Sequence, residues 1–521
     1  MQLQKQSVTM YPRGYTILKF LSTNGAFTAS DITVTVLLSA FTVACFIALI
    51  VFLCRLTDYS GSGKNVLATL LLLLGIGLAL RLVIALCIRG YRGDYALYTD
   101  MFDYLKVKGV NGYYKGDSSS VLYPIVYFIY LIFGGLSNAM GLSEHELGMQ
   151  FMIKLPLIIA DLVSAVFVYK LAAKYWNKAI ALVITAFVCV CPIFFIGSTI
   201  YNTPVTFTVM FVTIACYYLA KKNYAVTIAL STAAAFGSRE GIYIFPIVAV
   251  FCVFHFVRAI ICARRDKPSF KGMFAADYSA AITVPTAFIG SLMIAYVLGL
   301  PMLTSYSLNP FKYIYEFLLA PLGTIKTFTA DGLSIYSVFG RNRALPDARF
   351  PAWLFACIFG AIVTAVVCIV YFTKRNRATL VMLIGFALFT MQLYYPDSYG
   401  AGMQSVLLIL VAAYALVRDK RILTVIFATG LCYAVNGLCA VANMGQLNNL
   451  SDYVLNENLP TTGINAVTIA CSVFAVLAHA YYTVVTVSVG MTGQKKPLEE
   501  QTSFVGSMKD YFSFKRTERA E

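Results

Sequence analysis

Charge is scarce in this chain. Only 12% of its 521 residues are Asp, Glu, Lys or Arg, while 59% are hydrophobic and the mean hydropathy is +0.75. Soluble proteins carry roughly 45–50% apolar and about 25% charged residues, so this balance excludes an ordinary soluble enzyme, as well as a disordered chain, a collagen and a small secreted disulfide scaffold. Histidine is scarcer still. His145, His255 and His479 stand far apart, which argues against a zinc site. Cysteine is not rare, at 13 residues, but most (Cys45, Cys189, Cys216, Cys252 and Cys432 among them) lie in apolar runs, where Cys behaves as a small hydrophobe. The polar segments hold almost none, so neither a disulfide framework nor a Cys-ligated metal is expected. Two short motifs also fail: Gly61-Ser62-Gly63-Lys64-Asn65 lacks the spacing of a phosphate loop, and His145-Glu146-Leu147-Gly148 lacks the second His of a zinc protease. No metal and no cofactor are expected.

What is present is a series of long apolar runs. A bilayer core takes about 20 apolar residues per helical crossing. Thirteen runs qualify as candidate spans: 32–54, 66–88, 154–173, 179–197, 204–220, 223–237, 241–257, 280–300, 351–373, 379–395, 404–417, 422–443 and 464–489. The runs 223–237 and 404–417 are short for a crossing and read as extended helices or as half-helices buried among others. The expected fold is all-α: a polytopic membrane helix bundle over 32–489, preceded by a polar lead (1–31) and followed by a cytoplasmic tail (490–521) of mixed charge. The first run is too long for the apolar stretch of a cleavable leader.

A further run, 121–141, decides the topology. If it lies along the outer interface, every Lys/Arg cluster (170–178, 221–222, 258–271, 374–377, 418–421 and the tail) falls on one side, with 24 Lys+Arg against 9 Asp+Glu there. If it crosses, all later clusters face outward. The positive-inside rule selects the first arrangement, with an outer interfacial helix. The net charge of +16 is then largely a cytoplasmic rim that meets anionic lipid, and nucleic acid is not expected as a partner.

On the outer side this leaves two long segments, 89–120 and 301–350, rich in Tyr and mixed charge. Loops beyond about 12–15 residues in a compact bundle are usually functional. The first carries Asp94, Asp100, Asp103 and Asp117, and Leu97, Met101 and Leu105 recur every fourth residue, so a short amphipathic helix is predicted after Asp94. An acid held between water and hydrocarbon is partly desolvated and becomes a stronger base; the alternative is that these acids merely solvate a loop.

The order Gly93-Asp94 after a span, Gly109…Gly112-Tyr113-Tyr114, Tyr123-Pro124 opening an apolar helix, and Lys154-Leu155-Pro156 with Asp161 resembles the GT-C superfamily. Its nearest branch by these motifs is the polyprenyl- or dolichyl-phosphate-mannose-dependent transferases. Thr329-Ala330-Asp331…Tyr336…Gly340 is a weaker echo of an Asn-rich stretch in relatives. Ile200-Tyr201-Asn202-Thr203-Pro204, Gln392-Leu393-Tyr394-Tyr395 and Leu122-Tyr123-Pro124-Ile125 depart from the family pattern.

The resemblance implies a membrane glycosyltransferase that moves a hexose, mannose in the nearest branch, from a polyprenyl-phosphate-linked donor to a hydroxyl of a glycan or glycolipid acceptor, with inversion, on the outer or lumenal side. It implies Asp94 as the base, with Asp100 and Asp103 as second choices. Arg92, Tyr113, Tyr123, Lys154, Arg239, Glu240, Arg341 and Arg343 are the candidate substrate-binding residues. Arg239-Glu240 interrupts two short apolar runs at a depth where charge is costly, and Arg can grip a phosphate with two parallel hydrogen bonds. An internal pair of Arg239 with Glu240 or Asp161 is the alternative. Arg81, inside span 66–88, reads either as a phosphate ligand or as a side chain reaching the outer head groups. Two other readings of the whole chain stay open: a multi-span transporter or lipid flippase, and a catalytically silent protein of GT-C-like fold. A membrane location is common to all, the cell membrane in a bacterium or the endoplasmic reticulum in a eukaryote.

Overall fold

Each of the thirteen apolar runs folds as helix. The computed structural model describes residues 29–56, 66–88, 90, 92–109, 123–142, 146–269, 278–300, 309–314, 328–342, 352–374, 377–396, 398–443 and 465–491. Most of the lead 1–31 and all but two residues of the tail 490–521 lie outside them. The helices are α1 (Ala29–Leu56), α2 (Val66–Cys87), α3 (Arg92–Lys108), α4 (Pro124–Ala139), α5 (Leu147–Tyr175), α6 (Lys178–Val190), α7 (Pro192–Phe195), α8 (Val205–Ala220), α9 (Tyr224–Ala235), α10 (Arg239–Asp266), α11 (Ala280–Gly299), α12 (Pro310–Ile314), α13 (Ile335–Val338), α14 (Ala352–Lys374), α15 (Arg377–Tyr394), α16 (Met403–Val417), α17 (Lys420–Asn443) and α18 (Asn465–Met491). Two short strands, β1 (Thr329–Ala330) and β2 (Ser398–Tyr399), pair in parallel, Thr329 opposite Ser398.

Among the described residues, eight helices are long and apolar enough to cross a bilayer: α1, α2, α5, α10, α11, α17, α18 and the stretch Gly400–Val417 that contains α16. The chain is an integral multi-pass membrane protein. The span count is eight, or nine with one bent pair, and not thirteen. For one run the reason is physical. Pro192 has no N–H to continue α6, and the residue before it is pushed toward extended backbone; Cys191 has φ −71° and ψ 129°, and the two halves of the run 179–197 meet at 61°. Helices α8 and α9, and the described parts of α14 and α15 (Ile358–Val370 and Leu380–Tyr394), are apolar but shorter, at 10–17 residues.

Burial explains the shortest of the spans. Gly400–Val417 is 94% buried, whereas α11 is 11% buried and α1 and α2 are 22% buried. A helix apolar on all faces belongs inside a bundle, and α16 sits between α5, α8, α15 and α17, so its 18 residues need not match the thickness of lipid. The peripheral helices show lipid-facing Leu, Ile and Val instead, such as Leu71, Leu72 and Ile76 on α2.

The polar end of the bundle is where Lys154 meets Ala85 and Thr199, and at the opposite end of α5 Lys174, Trp176, Ala220 and Arg418 lie together. Helix α4 begins beside the end of α9, with Ile125 N–H donating to Phe236 O at 3.4 Å. Past its far end, Leu142 packs on Gly148 at the start of α5, and Asn138 donates to Phe102 O on α3 at 3.3 Å. Both ends of α4 thus stay with elements of the same end.

Candidate functional site

The most polar part of the interior is built around α5. Asp161 is 5% exposed and pairs with the fully buried Arg81 of α2, Nε to Oδ2 at 3.3 Å. Ser198 Oγ donates to the same carboxylate oxygen, and Gln404 Nε2 of α16 donates to Oδ1 at 3.1 Å. The Arg81 guanidinium also donates to Cys189 O (2.6 Å), Val188 O (3.3 Å) and Gly77 O (3.2 Å) and lies over the Phe195 ring. Arg81 therefore neither reaches the head groups nor lies open to a phosphate. It ties α2 to the broken end of α6, where Pro192 has interrupted the helix and left Val188 and Cys189 carbonyls without intrahelical partners.

Two turns nearer the polar end, Lys154 is also fully buried. Its ammonium donates to Ala85 O at 3.2 Å, to Ile88 O, and to Thr199 O at 2.7 Å. Gln150 donates to Ala85 O and to Ile88 O, the latter at 2.8 Å. Together they satisfy the last carbonyls of α2, which a helix end leaves orphaned, and bind them to the turn after α7. That turn, Ile196–Tyr201, is a π-helix, a form found mostly as single turns at functional sites. It closes on Asn202 in the left-handed region (φ 62°), which packs against Gly90 (φ 115°), where a Cβ would collide with the Asn202 side chain and Ile200 O. The stretch from Ile88 into α3 is thereby fixed at both flanks. Lys154, a candidate phosphate ligand in sequence, gathers backbone carbonyls in the structure.

Helix α3 follows at once. Tyr95, Tyr98, Met101 and Phe102 are fully buried against α4 and α5, with the rings of Tyr98 and Tyr130 at 4.3 Å. This face differs from the expected Leu97, Met101 and Leu105 stripe: Leu97 and Leu105 are only half-buried, because aromatic residues one or two positions away provide the larger surface. Asp100 and Asp103 are exposed. The Asp100 carboxyl is held above its ordinary value, chiefly by partial burial and then by the neighbouring Asp103 charge. Arg92 and Asp94 form the first turn of α3; their side chains lie outside the described residues. Asp100 and Asp103 fall on the side of α3 away from the buried Tyr98 and Met101.

The start of α10 faces this region. Glu240 is 6% exposed and Arg239 half-buried. Gln392, at the end of α15, donates Nε2 to Tyr399 O at 2.7 Å, and its Oε1 and the Glu240 Oε1 both border the Cα of Gly402. The rings of Tyr243 and Tyr395 meet edge-on at 5.5 Å. Half-buried Tyr123, just before α4, bridges the α3–α4–α5 cluster and a second cluster around Phe236 and Tyr313. Arg341 is exposed; Tyr113, Asp117 and Arg343 lie outside the described residues. Asp161 pairs with Arg81 and not with Arg239, which removes one of the two internal pairs suggested for Arg239.

Asp331, the weak sequence echo, is fully buried with φ 53°. Asn342 Nδ2 donates to its carboxylate at 2.9 Å, its own N–H donates to Asn342 Oδ1, and Asn436 of α17 donates to its carbonyl at 2.8 Å. With the β1–β2 pair, it clamps 328–342 onto the turn leading to Gly402.

Below Arg239, an apolar groove runs between α10 and α14, lined by Pro246, Val250 and Phe254 on one side and Val367 and Cys368 on the other. Pro246 is seven residues past Arg239, about 10 Å along the helix. Among the described residues, no three His, Cys, Asp or Glu converge as a metal site. Ser198, Gly402 and Gln404 were not singled out in sequence, and Gln392 appeared there only in a stretch that departs from the family pattern; the available signal was polar side chains and glycine set in apolar runs. Set against known proteins, the chain matches no family model, and no curated protein matches it in sequence.

Proposed function

We propose that the protein is a membrane glycosyltransferase that takes a hexose, mannose first among the sugars to test, from a polyprenyl-phosphate donor and passes it to an acceptor hydroxyl at the polar end of the bundle, on the outer or lumenal side. The observation that carries this reading is the pairing, on one helix, of a half-buried arginine at the polar end and an apolar groove about two turns below it. A cation at the interface above a greasy channel suits a lipid phosphate. The motif order that resembles the GT-C superfamily adds to it.

In this reading Asp94 takes the proton of the acceptor hydroxyl while that oxygen forms its bond to the anomeric carbon. The bond from that carbon to the phosphate oxygen breaks on the opposite face, giving inversion, and its electron pair leaves with the polyprenyl phosphate, held by Arg239. A positioned base contributes roughly 10²–10⁴-fold, and holding both substrates at one interface removes much of the entropic cost of encounter. Lys154, Gln150 and Arg81 act as positioning residues, since they fix the approach to α3 and the π turn. The test is incubation of the purified protein with polyprenyl-phosphate hexoses, monitoring release of polyprenyl phosphate. No release with any hexose and any glycan acceptor would overturn the reading.

One observation favours a second reading. An intramembrane ion pair beside a broken helix, as in Arg81–Asp161 and the 61° break before Pro192, is a common feature of transporters. A lipid flippase would move a labelled lipid-linked sugar across a proteoliposome bilayer without cleaving it.

A further inference from the structure

Two oxygen acceptors, from Glu240 and Gln392, border Gly402. Glu240, 6% exposed, makes no hydrogen bond or ion pair among the described residues, and Gln392 Nε2 is committed to Tyr399 O, which leaves the Gln392 carbonyl oxygen at Gly402. Glycine at 402 lets the backbone pack against both oxygens, since a Cβ there would sit 2.8 Å from Glu240 Oε1 and closer still to Gln392 Oε1. Ser238, which opens α10, is 3% exposed with its hydroxyl likewise unbonded among the described residues. Buried polar groups are normally satisfied, and leaving one unpaired costs more than a made bond returns. The Ser238 hydroxyl is fully enclosed, whereas the oxygens of Glu240 and Gln392 are not among the enclosed unpaired atoms and stay open to an incoming donor.

We propose that Glu240 and Gln392 form a cradle that accepts hydrogen bonds from neighbouring hydroxyls of the donor's sugar ring. This rests on the glycosyltransferase reading and specifies how its site recognises the sugar. A carboxylate and an amide oxygen side by side match two vicinal hydroxyls, each of which supplies one O–H. The Tyr243 and Tyr395 rings nearby offer apolar surface for the C–H face of a pyranose. Arg239 immediately precedes Glu240 in the first turn of α10, so a phosphate on the one and the attached ring on the other match the span of a hexosyl phosphate. The same arginine disfavours a lone cation as occupant.

The test uses the full chain in nanodiscs with three probes: polyprenyl-phosphate-mannose, polyprenyl phosphate, and methyl mannoside. Binding constants and thermal midpoints are measured for the wild type and Glu240→Gln. The glutamine keeps the size and can donate to Gln392 Oε1, so it supplies that bond from within. The expected result is a higher midpoint for ligand-free Glu240→Gln, together with at least about tenfold weaker binding of polyprenyl-phosphate-mannose and unchanged binding of polyprenyl phosphate. If the wild type binds both lipid probes and the variant changes neither, the cradle is wrong and the functional reading stands. If both probes weaken equally, Glu240 serves the phosphate or the fold, and the cradle is again wrong. Weakening confined to methyl mannoside would move the site to the acceptor, and sodium-dependent stabilisation lost in the variant would make it a cation site; each overturns the proposal. If the wild type binds neither lipid probe, the functional reading falls and the cradle with it.

Discussion

At the scale of single residues, Asp94→Asn is the sharpest test of the chemistry. It should lower transfer about 10²-fold or more while leaving insertion and thermal midpoint near wild type, as read by polyprenyl phosphate release alongside a melting curve. Asp100 answers to pH instead. The Asp100 carboxyl is raised in the folded state, so that state binds its proton more readily than the unfolded chain. Its carboxylate therefore costs stability above the folded pKa, and the cost vanishes as pH falls below both values. Asp103→Asn removes the repulsive part. It should raise the melting temperature slightly at neutral pH and leave it unchanged near pH 3. The interior pair is a stiffer matter: Arg81→Leu or Asp161→Leu alone strands a buried charge and should cost about 3–5 kcal/mol, while the double replacement by apolar residues should recover much of it. Thermal unfolding of the three variants gives the comparison. Little of this was legible in advance. Arg81 and Asp161 are each conspicuous as charges in apolar runs, but they are 80 residues apart and nothing local joins them. Glu240 stood out for the same reason, whereas its neighbour Gln392 belongs to a helix more than 150 positions away in the chain.

At the scale of elements, helices were readable and their roles were not. Continuous apolar runs specify helix wherever water is absent, because every backbone group must be satisfied within the segment. Whether a run crosses depends on breaks and neighbours: Pro192 splits one, and burial on all sides lets Gly400–Val417 stay short. The α3 stripe was misplaced by sequence spacing because Tyr95, Tyr98 and Phe102 bury more surface than the leucines beside them. Glycines separate the tight joints from the open ones. Gly241 lies so close to the Ala234 carbonyl that any Cβ would overlap it, whereas Gly75 and Gly290 have open space. Gly241→Ala should force α9 and α10 apart and lower the melting temperature, and Gly75→Ala and Gly290→Ala should raise stability by about 0.5–1 kcal/mol through helix propensity alone.

At the scale of the whole molecule, the charge bias of the sequence predicts two unlike ends. Single cysteines introduced at Asp103 and at Lys267, both exposed, should react with an impermeant maleimide from opposite sides of the membrane; labelling from one side would overturn the arrangement. The helix buried most deeply is also among the last to be made. Until residue 404 has been synthesised, Asp161 lacks its bond from Gln404, and the faces of α5 and α8 that later grip α16 have no protein against them. Biosynthesis must therefore shelter a half-built ring of helices for most of translation, and a nascent chain stalled before Met403 should remain a client of the insertion machinery and its attendant proteases.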